Sequence, residues 1–411
     1  MFIISIHGPK PKYVIFYLIR NYGSQKMEKN IIYSKKQIRR AGDALAKDII
    51  WDSNLTDEIY PVFQLANHWI ASHAYPMNRL RHELIGKIRK CGADGITVGR
   101  LKSMRSIRRK LRVKPEGLHQ IQDLGGCRSI VASIAQASDL VEEQLSNSRH
   151  RFIYQNNYIQ KPKIDGYRSH HLIFEFQGSE NDDDVFDGKR IELQVRTRLQ
   201  HSWATAVEAV GLFRNENLKA SEGSSDWLRL FQLMSAEFSY TENSPEPEGS
   251  PPRSERVLEI IDLEKKLNAA SILDGIRDAV RYTEIYTSDP KAKPTHYLVT
   301  YDHIKRQVKV KPYLKPMNDA YHLGVAELKS ESDVSDNMTS IVVEADKVEN
   351  LKDAFPNYFG DVSIFGTNLK LITSGDSAKE YLMPPQQVVV TPAEAKIDPR
   401  WLRPGRHRKW E

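Results

Sequence analysis

Lys189-Arg-Ile-Glu-Leu-Gln-Val-Arg-Thr197 reads as one β-strand with two chemically different faces. Side chains alternate along a strand, so Ile191, Leu193 and Val195 share an apolar face while Glu192, Gln194 and Arg196 share the other. An ordinary amphipathic strand would accept any polar residues on its open face. Here the mix is a carboxylate able to bind Mg²⁺, an amide, and an arginine able to hold phosphate, which suggests a site.

Working outward, a strand over 170–177 precedes this one, and the acidic, Gly-containing loop 178–188 separates them. Residues 201–214 follow as a helix packed through Trp203, Val207, Val210 and Leu212. Upstream, 126–133 is β-rich and 135–145 helical. Residues 54–71 show apolar side chains at helical spacing with Asn54 as N-cap, and Leu80, Leu84, Ile85 and Ile88 continue the pattern to Gly92. Downstream, 244–252 has four prolines in nine residues and reads as a surface loop. A helical pattern resumes over 254–280. After Pro290 a ββαβα unit is expected: strands 295–301 and 307–311, a helix near 319–328, a strand 340–344 and a helix 348–355.

Three further constellations carry chemistry. The loop from Tyr158 to His171 holds Lys161, Lys163, Arg168 and His171 with Tyr158 and Tyr167. Cations with a loop-borne aromatic suit a nucleotide, charge for its phosphates and a π-face for its base. Gln122-Asp-Leu-Gly-Gly-Cys-Arg128 is a turn that places Asp123 before a strand, where a carboxylate can bind a metal, and Arg128 within it. Finally, residues 77–115 contain 13 Lys/Arg against Glu83 and Asp94. That balance is too lopsided for internal pairing within the segment and predicts a phosphate partner.

Composition bounds the class. The chain has 411 residues, 40% hydrophobic and 27% charged, which suits a soluble protein of two or three domains. Sixty Lys+Arg against 53 Asp+Glu leave a net charge of +7, mildly favouring polyanionic partners. Two cysteines, Cys91 and Cys127, cannot make a four-thiolate zinc site and fit a cytoplasmic protein. The apolar run 13–19 falls far short of the roughly 18 residues that span a bilayer, so no membrane association is expected. Residues 1–26 read as an extension with little structural role. The tail 400–411, with five Lys/Arg and two tryptophans, reads as a solvated terminus or an RNA-contacting arm.

In order along 100–197, Arg-x-Lys…Ser-Ile-x-x-Lys, Asp-Leu-x-Gly-x-Arg, Tyr-Ile-x-x-Pro-Lys-x-x-Gly-Tyr-x-Ser-x-His and Glu-x-Gln-x-Arg-Thr resemble the synthetase domain of the RelA/SpoT family. The resemblance implies a pyrophosphokinase that moves pyrophosphate from ATP, with Mg²⁺, onto a ribose 3′-hydroxyl. It implies an α+β fold, a nucleotidyltransferase-like mixed β-sheet flanked by helices. By position, Arg100, Lys102, Lys110 and Arg128 would grip ATP, and Asp123 and Glu192 would bind the metal, Glu192 also deprotonating the hydroxyl. Tyr167 would stack on the acceptor base, with Lys163, His171, Gln194 and Arg196 around it. Asp165 stands where the family usually carries Asn, and Asn157 where it carries Asp.

The chain holds no His-Asp dipeptide, so the hydrolase activity of the long family members is not expected. A single synthetase with a C-terminal unit resembles the toxic small alarmone synthetases fused to an antitoxin-like domain, a match supported by Ala354-Phe-Pro-Asn-Tyr-Phe359. That branch implies the tRNA 3′-CCA end as acceptor, inhibition of translation, and a metal-free, zinc-finger-like C-terminal domain released by a phage protein. The alternatives are a (p)ppGpp synthetase acting on GDP or GTP, and an RNA-binding module on an inactive scaffold. The expected divisions are an extension 1–33, a synthetase domain 34–288, a regulatory domain 289–376 and a basic tail 377–411.

Overall fold

Five strands, β1 (Gly95–Leu101), β2 (Gly125–Val131), β3 (Arg151–Asn157), β4 (His170–Glu175) and β5 (Arg190–Thr197), form one sheet in the order β1-β2-β5-β4-β3. The computed structural model describes residues 33–47, 56–102, 104–114, 116–179, 183–214, 216, 218, 223–279, 283–285, 296–302, 307–313, 338–344 and 362–383. The strand β5 is central. It runs parallel to β2 and antiparallel to β4, and β1 and β3 close the edges in antiparallel register. The fold is thus the expected mixed sheet flanked by helices.

Each face of this sheet has one task. Ile191, Leu193 and Val195 of β5 and Leu172 and Phe174 of β4 are buried beneath two helices, α3 (Ala74–Lys90) and α5 (Ile134–Asn147), through Leu80, Leu84, Ile88, Leu140 and Val141. Three more helices, α1 (Lys35–Leu45), α2 (Thr56–Ala71) and α4 (Met104–Val113), build a second cluster around Ile38, Phe63, Ile107 and Leu118. Ser34 and Gln37 form a capping box at the start of α1. At its other end, Arg108 and Arg112 donate to the carbonyls of Leu45, Ala46 and Lys47, satisfying groups that a helix C-terminus leaves open.

The third cluster joins α6 (Arg198–Arg214), α7 (Ser225–Thr241), α8 (Arg253–Leu267), α9 (Ala269–Ala279) and α10 (Ser363–Thr373). The helical pattern over 254–280 is two helices, broken at Asn268, whose φ of 51° is left-handed, a conformation Asn tolerates. The last helix returns to the first unit. Phe365 is fully buried, 5.4 Å from the Phe231 ring and 5.9 Å from that of Phe238. Buried Asn368 accepts from the Lys379 N–H at 2.8 Å, and Lys370 pairs with Asp274 at 2.7 Å. Residues 362–376, assigned from sequence to the end of the C-terminal unit, therefore pack with α6–α9.

Between α9 and α10 lies a second sheet of β6 (Thr283–Ile285), β7 (His296–Asp302), β8 (Gln307–Tyr313) and β9 (Met338–Glu344), in the order β6-β8-β7-β9. The three strands expected after Pro290 are β7, β8 and β9. The expected helices 319–328 and 348–355, the Ala354–Phe359 stretch, the extension 1–26, the N-cap Asn54 and the arm 400–411 lie outside the described residues.

The return of α10 fixes how a truncation behaves. A chain ending at residue 290 loses Phe365, Leu369 and Ile372 from the core and is expected to be insoluble or to melt far below the full chain. A chain in which a Gly/Ser linker replaces 286–361 keeps them and is expected to fold, as circular dichroism melting will report. Phe365→Ala alone should cost about 3–5 kcal/mol.

Candidate active site

The pleat of β5 brings the site together. Glu192, Gln194 and Arg196 line a cavity of about 250 Å³ with Arg100, Lys102, Asp123, Arg128, Lys163, Tyr167 and His171. Lys110 joins them through Asp123. Residues drawn from four separate stretches of sequence thus converge on the open face of the sheet.

One end of the cavity is cationic. Asp123 accepts from Lys102 at 2.7 Å and from Lys110 at 3.0 Å. Burial alone would raise its pKa, but the two ammonium groups overcome that and hold the carboxyl down at about 2. Lys110 is also 3.5 Å from Glu116. Arg128 donates to the Gln194 side-chain oxygen at 3.4 Å, and Glu208 partly offsets the repulsion it feels. Burial, and then repulsion from Arg196 and Arg100, push its guanidinium down to about 9. Three guanidiniums facing one cavity are electrostatically strained until an anion enters.

The carboxylate at the centre is held on both oxygens. Glu192 Oε1 is 2.9 Å from His171 Nδ1, and its Oε2 accepts from the Gln194 amide at 2.7 Å. Burial opposes ionisation here too, but the hydrogen bonds from His171 and Gln194 prevail and lower the pKa. Glu192 and Asp123 are therefore both anionic oxygen donors on one cavity. That donor set fits Mg²⁺, which binds one or two carboxylates and completes its shell with water and substrate phosphates. Among the described residues no group of three or more His, Cys, Asp or Glu could hold a metal on side chains alone.

At the other end stands Tyr167. Its hydroxyl lies 2.7 Å from His171 Nε2 and accepts from Arg196 at 2.6 Å, and Lys163 Nζ sits 5.1 Å from the ring centroid. The turn before it is built for this placement. Gly166 has φ of +94°, and a Cβ there would come within 2.9 Å of Ser235 and 3.1 Å of the Trp203 ring, so the loop lies flat on α6 and α7. Asp165 Oδ1 accepts from the Tyr167 N–H at 2.9 Å, and Asn157 Oδ1 accepts from the N–H groups of Ile159 and Gln160 at 3.1 Å. Either Asp or Asn can accept such bonds. Both departures from the family pattern therefore keep the turn, while Asp165 still adds a carboxylate to the cavity lining.

Two sequence readings change. Arg168 is no part of the cavity. It is 2% exposed and its Nη1 is 2.6 Å from Glu242, which also accepts from Thr197 and Gln200. This buried network ties the loop to β5 and the end of α7. The basic segment 77–115 is also more neutralised than its local composition suggests. Lys87 pairs with Glu83, Lys90 with Glu143, Lys102 and Lys110 with Asp123, and Arg108 and Arg112 cap α1. Two of these acids lie outside the segment, which is why counting within it exaggerated the excess. Sequence reading passed over Tyr154, whose phenol is raised in pKa by burial and then by Glu192. Its strand, exposed on both faces, lacks the alternation that would have marked it.

Two measurements check this geometry. Because the Asp123 pKa lies below its ordinary 3.8, its ion pairs stabilise the fold above about pH 4 and that contribution is lost as pH falls through about 2. Carbon-13 titration of the carboxyl should show the low midpoint, and Lys102→Met should raise it. Glu242→Ala, which strands buried Arg168, should destabilise by about 3–5 kcal/mol in denaturant unfolding.

Comparison with known proteins supports the motif reading. Residues 99–217 match the family described as the region found in RelA / SpoT proteins. The GTP pyrophosphokinase YjbM of Bacillus subtilis (strain 168) is 34% identical over 126 residues, 29% of this chain and 57% of that protein. The GTP pyrophosphokinase YwaC of the same organism is 33% identical over 115 residues, 26% and 54% respectively. The chain thus spans little more than half the length of these relatives. The solved small alarmone synthetase 1 of Bacillus subtilis bound to pppGpp aligns at 22% identity and a TM-score of 0.37, over 43% of this chain and 91% of that one. Among the described residues no helix is long and apolar enough to cross a membrane. Residues 99–217, which hold every cavity residue named above, thus match the region found in RelA / SpoT proteins.

Proposed function

We propose that this protein is an ATP pyrophosphokinase acting on a ribose 3′-hydroxyl, with the 3′-CCA end of tRNA as acceptor. The observation that carries the reaction class is the pairing, in one cavity, of two anionic carboxylates with cations on one side and a loop-borne tyrosine on the other. Arg100, Lys102, Lys110 and Arg128 bind the ATP polyphosphate, whose charge would relieve the repulsion around Arg128. Magnesium, when bound with ATP, supplies charge neutralisation at the transferring phosphorus, and Asp123 and Glu192 are the residues that would hold it. Tyr167 stacks on the acceptor base, with Lys163 and His171 beside it. Glu192 accepts the proton of the 3′-hydroxyl. The oxygen then forms a bond to the ATP β-phosphorus, the bond from that phosphorus to the α-bridging oxygen breaks, and AMP leaves. Catalysis of this kind rests on positioning and charge stabilisation.

We read the C-terminal unit as a restraint on this reaction, in an autoinhibited toxin–antitoxin fusion that blocks translation when a phage protein engages it. The support is its placement: β9 comes within 8 Å, Cα to Cα, of the edge strand β1, which carries Arg100. A second reading, synthesis of (p)ppGpp from GDP or GTP, is favoured by the names of the relatives, both GTP pyrophosphokinases. The internal neutralisation of the basic segment also removes part of the argument for a large polyanion.

Transfer of label from γ-³²P-ATP separates the readings. Label on deacylated tRNA, with little on GDP or GTP, is expected; the reverse establishes the second reading. Asp123→Asn and Glu192→Gln should each lower the rate by about 100-fold or more, since removing one preorganised charge from a transition state costs about that much. Wild-type rates in either would remove it from the metal and base assignment. The chain with 286–361 replaced by a linker should be faster than the full chain; an equal rate would end the autoinhibition reading.

A further inference from the structure

Tyr154 has no role in the reaction described above, yet the sheet register places it on the active-site face. Gly126, Glu192, Ile173 and Tyr154 stand opposite one another on β2, β5, β4 and β3, and Arg128, Gln194, His171 and Asn156 form the next row. Residues directly opposite on neighbouring strands point to the same side. Two interstrand spacings put Tyr154 about 10 Å from Glu192. The register shift at Ile153 turns Phe152 to the other side, where its ring meets Phe174 at 5.7 Å.

Along β3 the same face continues through Asn156 to Tyr158. The Tyr158 ring lies 5.9 Å from Tyr167 and 5.3 Å from His171, with Lys163 Nζ 4.7 Å from its centroid. Tyr167 and Tyr158 are in ring contact beneath Lys163. Tyr154 lies farther along the same face on the sheet edge, not in ring contact with them, where Glu192, Lys110, Tyr158 and Asp123 act on its phenol. Tyr154 keeps 39% of its surface exposed. Successive aromatic faces beside a cation are how proteins hold successive bases of a single strand.

We propose that Tyr154 is a specificity-determining residue that stacks a base on the 5′ side of the acceptor nucleotide, so that the site selects the 3′ end of a single-stranded polynucleotide over a free nucleotide. This rests on the pyrophosphokinase reading and on its polynucleotide acceptor. The order of the three tyrosines sets the polarity. The 3′-hydroxyl lies at Glu192, the last base on Tyr167, and the preceding chain runs out over Tyr158 and Tyr154 along β3.

The test uses the full-length protein, or the linker variant if the full chain is slow, with γ-³²P-ATP and an acceptor series of AMP, GDP, GTP, the dinucleotide CA and the trinucleotide CCA. For the wild type, kcat/KM should rise with acceptor length. Tyr154→Ala should remove about ten-fold from the longest acceptor, the scale of one lost stacking contact, and leave AMP unchanged. Tyr154→Phe should restore the wild-type series, and Phe152→Ala should keep the length dependence. Equal loss on AMP and CCA would overturn the proposal, because Tyr154 would then serve ATP or the fold. No loss on CCA, with CCA still labelled, would remove the stacking role while leaving the polynucleotide acceptor standing. Label on GDP or GTP alone, with none on RNA, would overturn both.

Discussion

A central strand has two faces, and β5 uses them for opposite purposes. One face carries Ile191, Leu193 and Val195, each essentially inaccessible to solvent and packed under α3 and α5. The other carries Glu192, Gln194 and Arg196 into the cavity. A slip of one residue in register would exchange the two sets. It would bury a carboxylate and a guanidinium in the core and expose the apolar triplet. The apolar face therefore holds the cavity face in register, and the neighbouring strands inherit it: His171 reaches Glu192 because their strands are locked in antiparallel pairing.

Charge is the second constraint. The cavity gathers more cations than anions, and the protein meets this in two ways. Asp123 takes up Lys102 and Lys110, which leaves it ionised despite burial. Around Arg128, by contrast, the guanidiniums remain under mutual repulsion. The first arrangement is compensated internally, and the second leaves positive charge that a bound anion would relieve. Outside the cavity the same economy operates, since Arg108 and Arg112 serve a helix terminus and Lys87 a buried pair with Glu83.

Distant parts of the chain stabilise the loop that carries Tyr167. Gly166 lies against Ser235 and Trp203, and Arg168 is fixed by Glu242 at the end of α7. That helix in turn packs its Phe231 and Phe238 on Phe365 of α10. Tyr167 is thus supported through a continuous set of contacts by a helix that follows the second sheet in sequence.

Much of this was legible in the chain. Alternation in 189–197 and the helical periodicity of α3 were enough to identify that strand and its two faces, because they depend on local period, while the resemblance carried by four short motifs pointed to the residues that gather at the cavity. Three features were not. The strand β3 is exposed on both faces and so shows no alternation, which hid Tyr154. Part of the positive charge of 77–115 is offset by acids brought from elsewhere, Glu143 and Asp123, which no count within the segment includes. The helix α10 belongs to a core whose other members lie before the second sheet, so its membership depends on contacts across the intervening chain. Local period and residue type are properties of the sequence. Which charges meet, and which apolar faces close on one another, depend on pairs far apart in the chain, and only the tertiary structure brings those together.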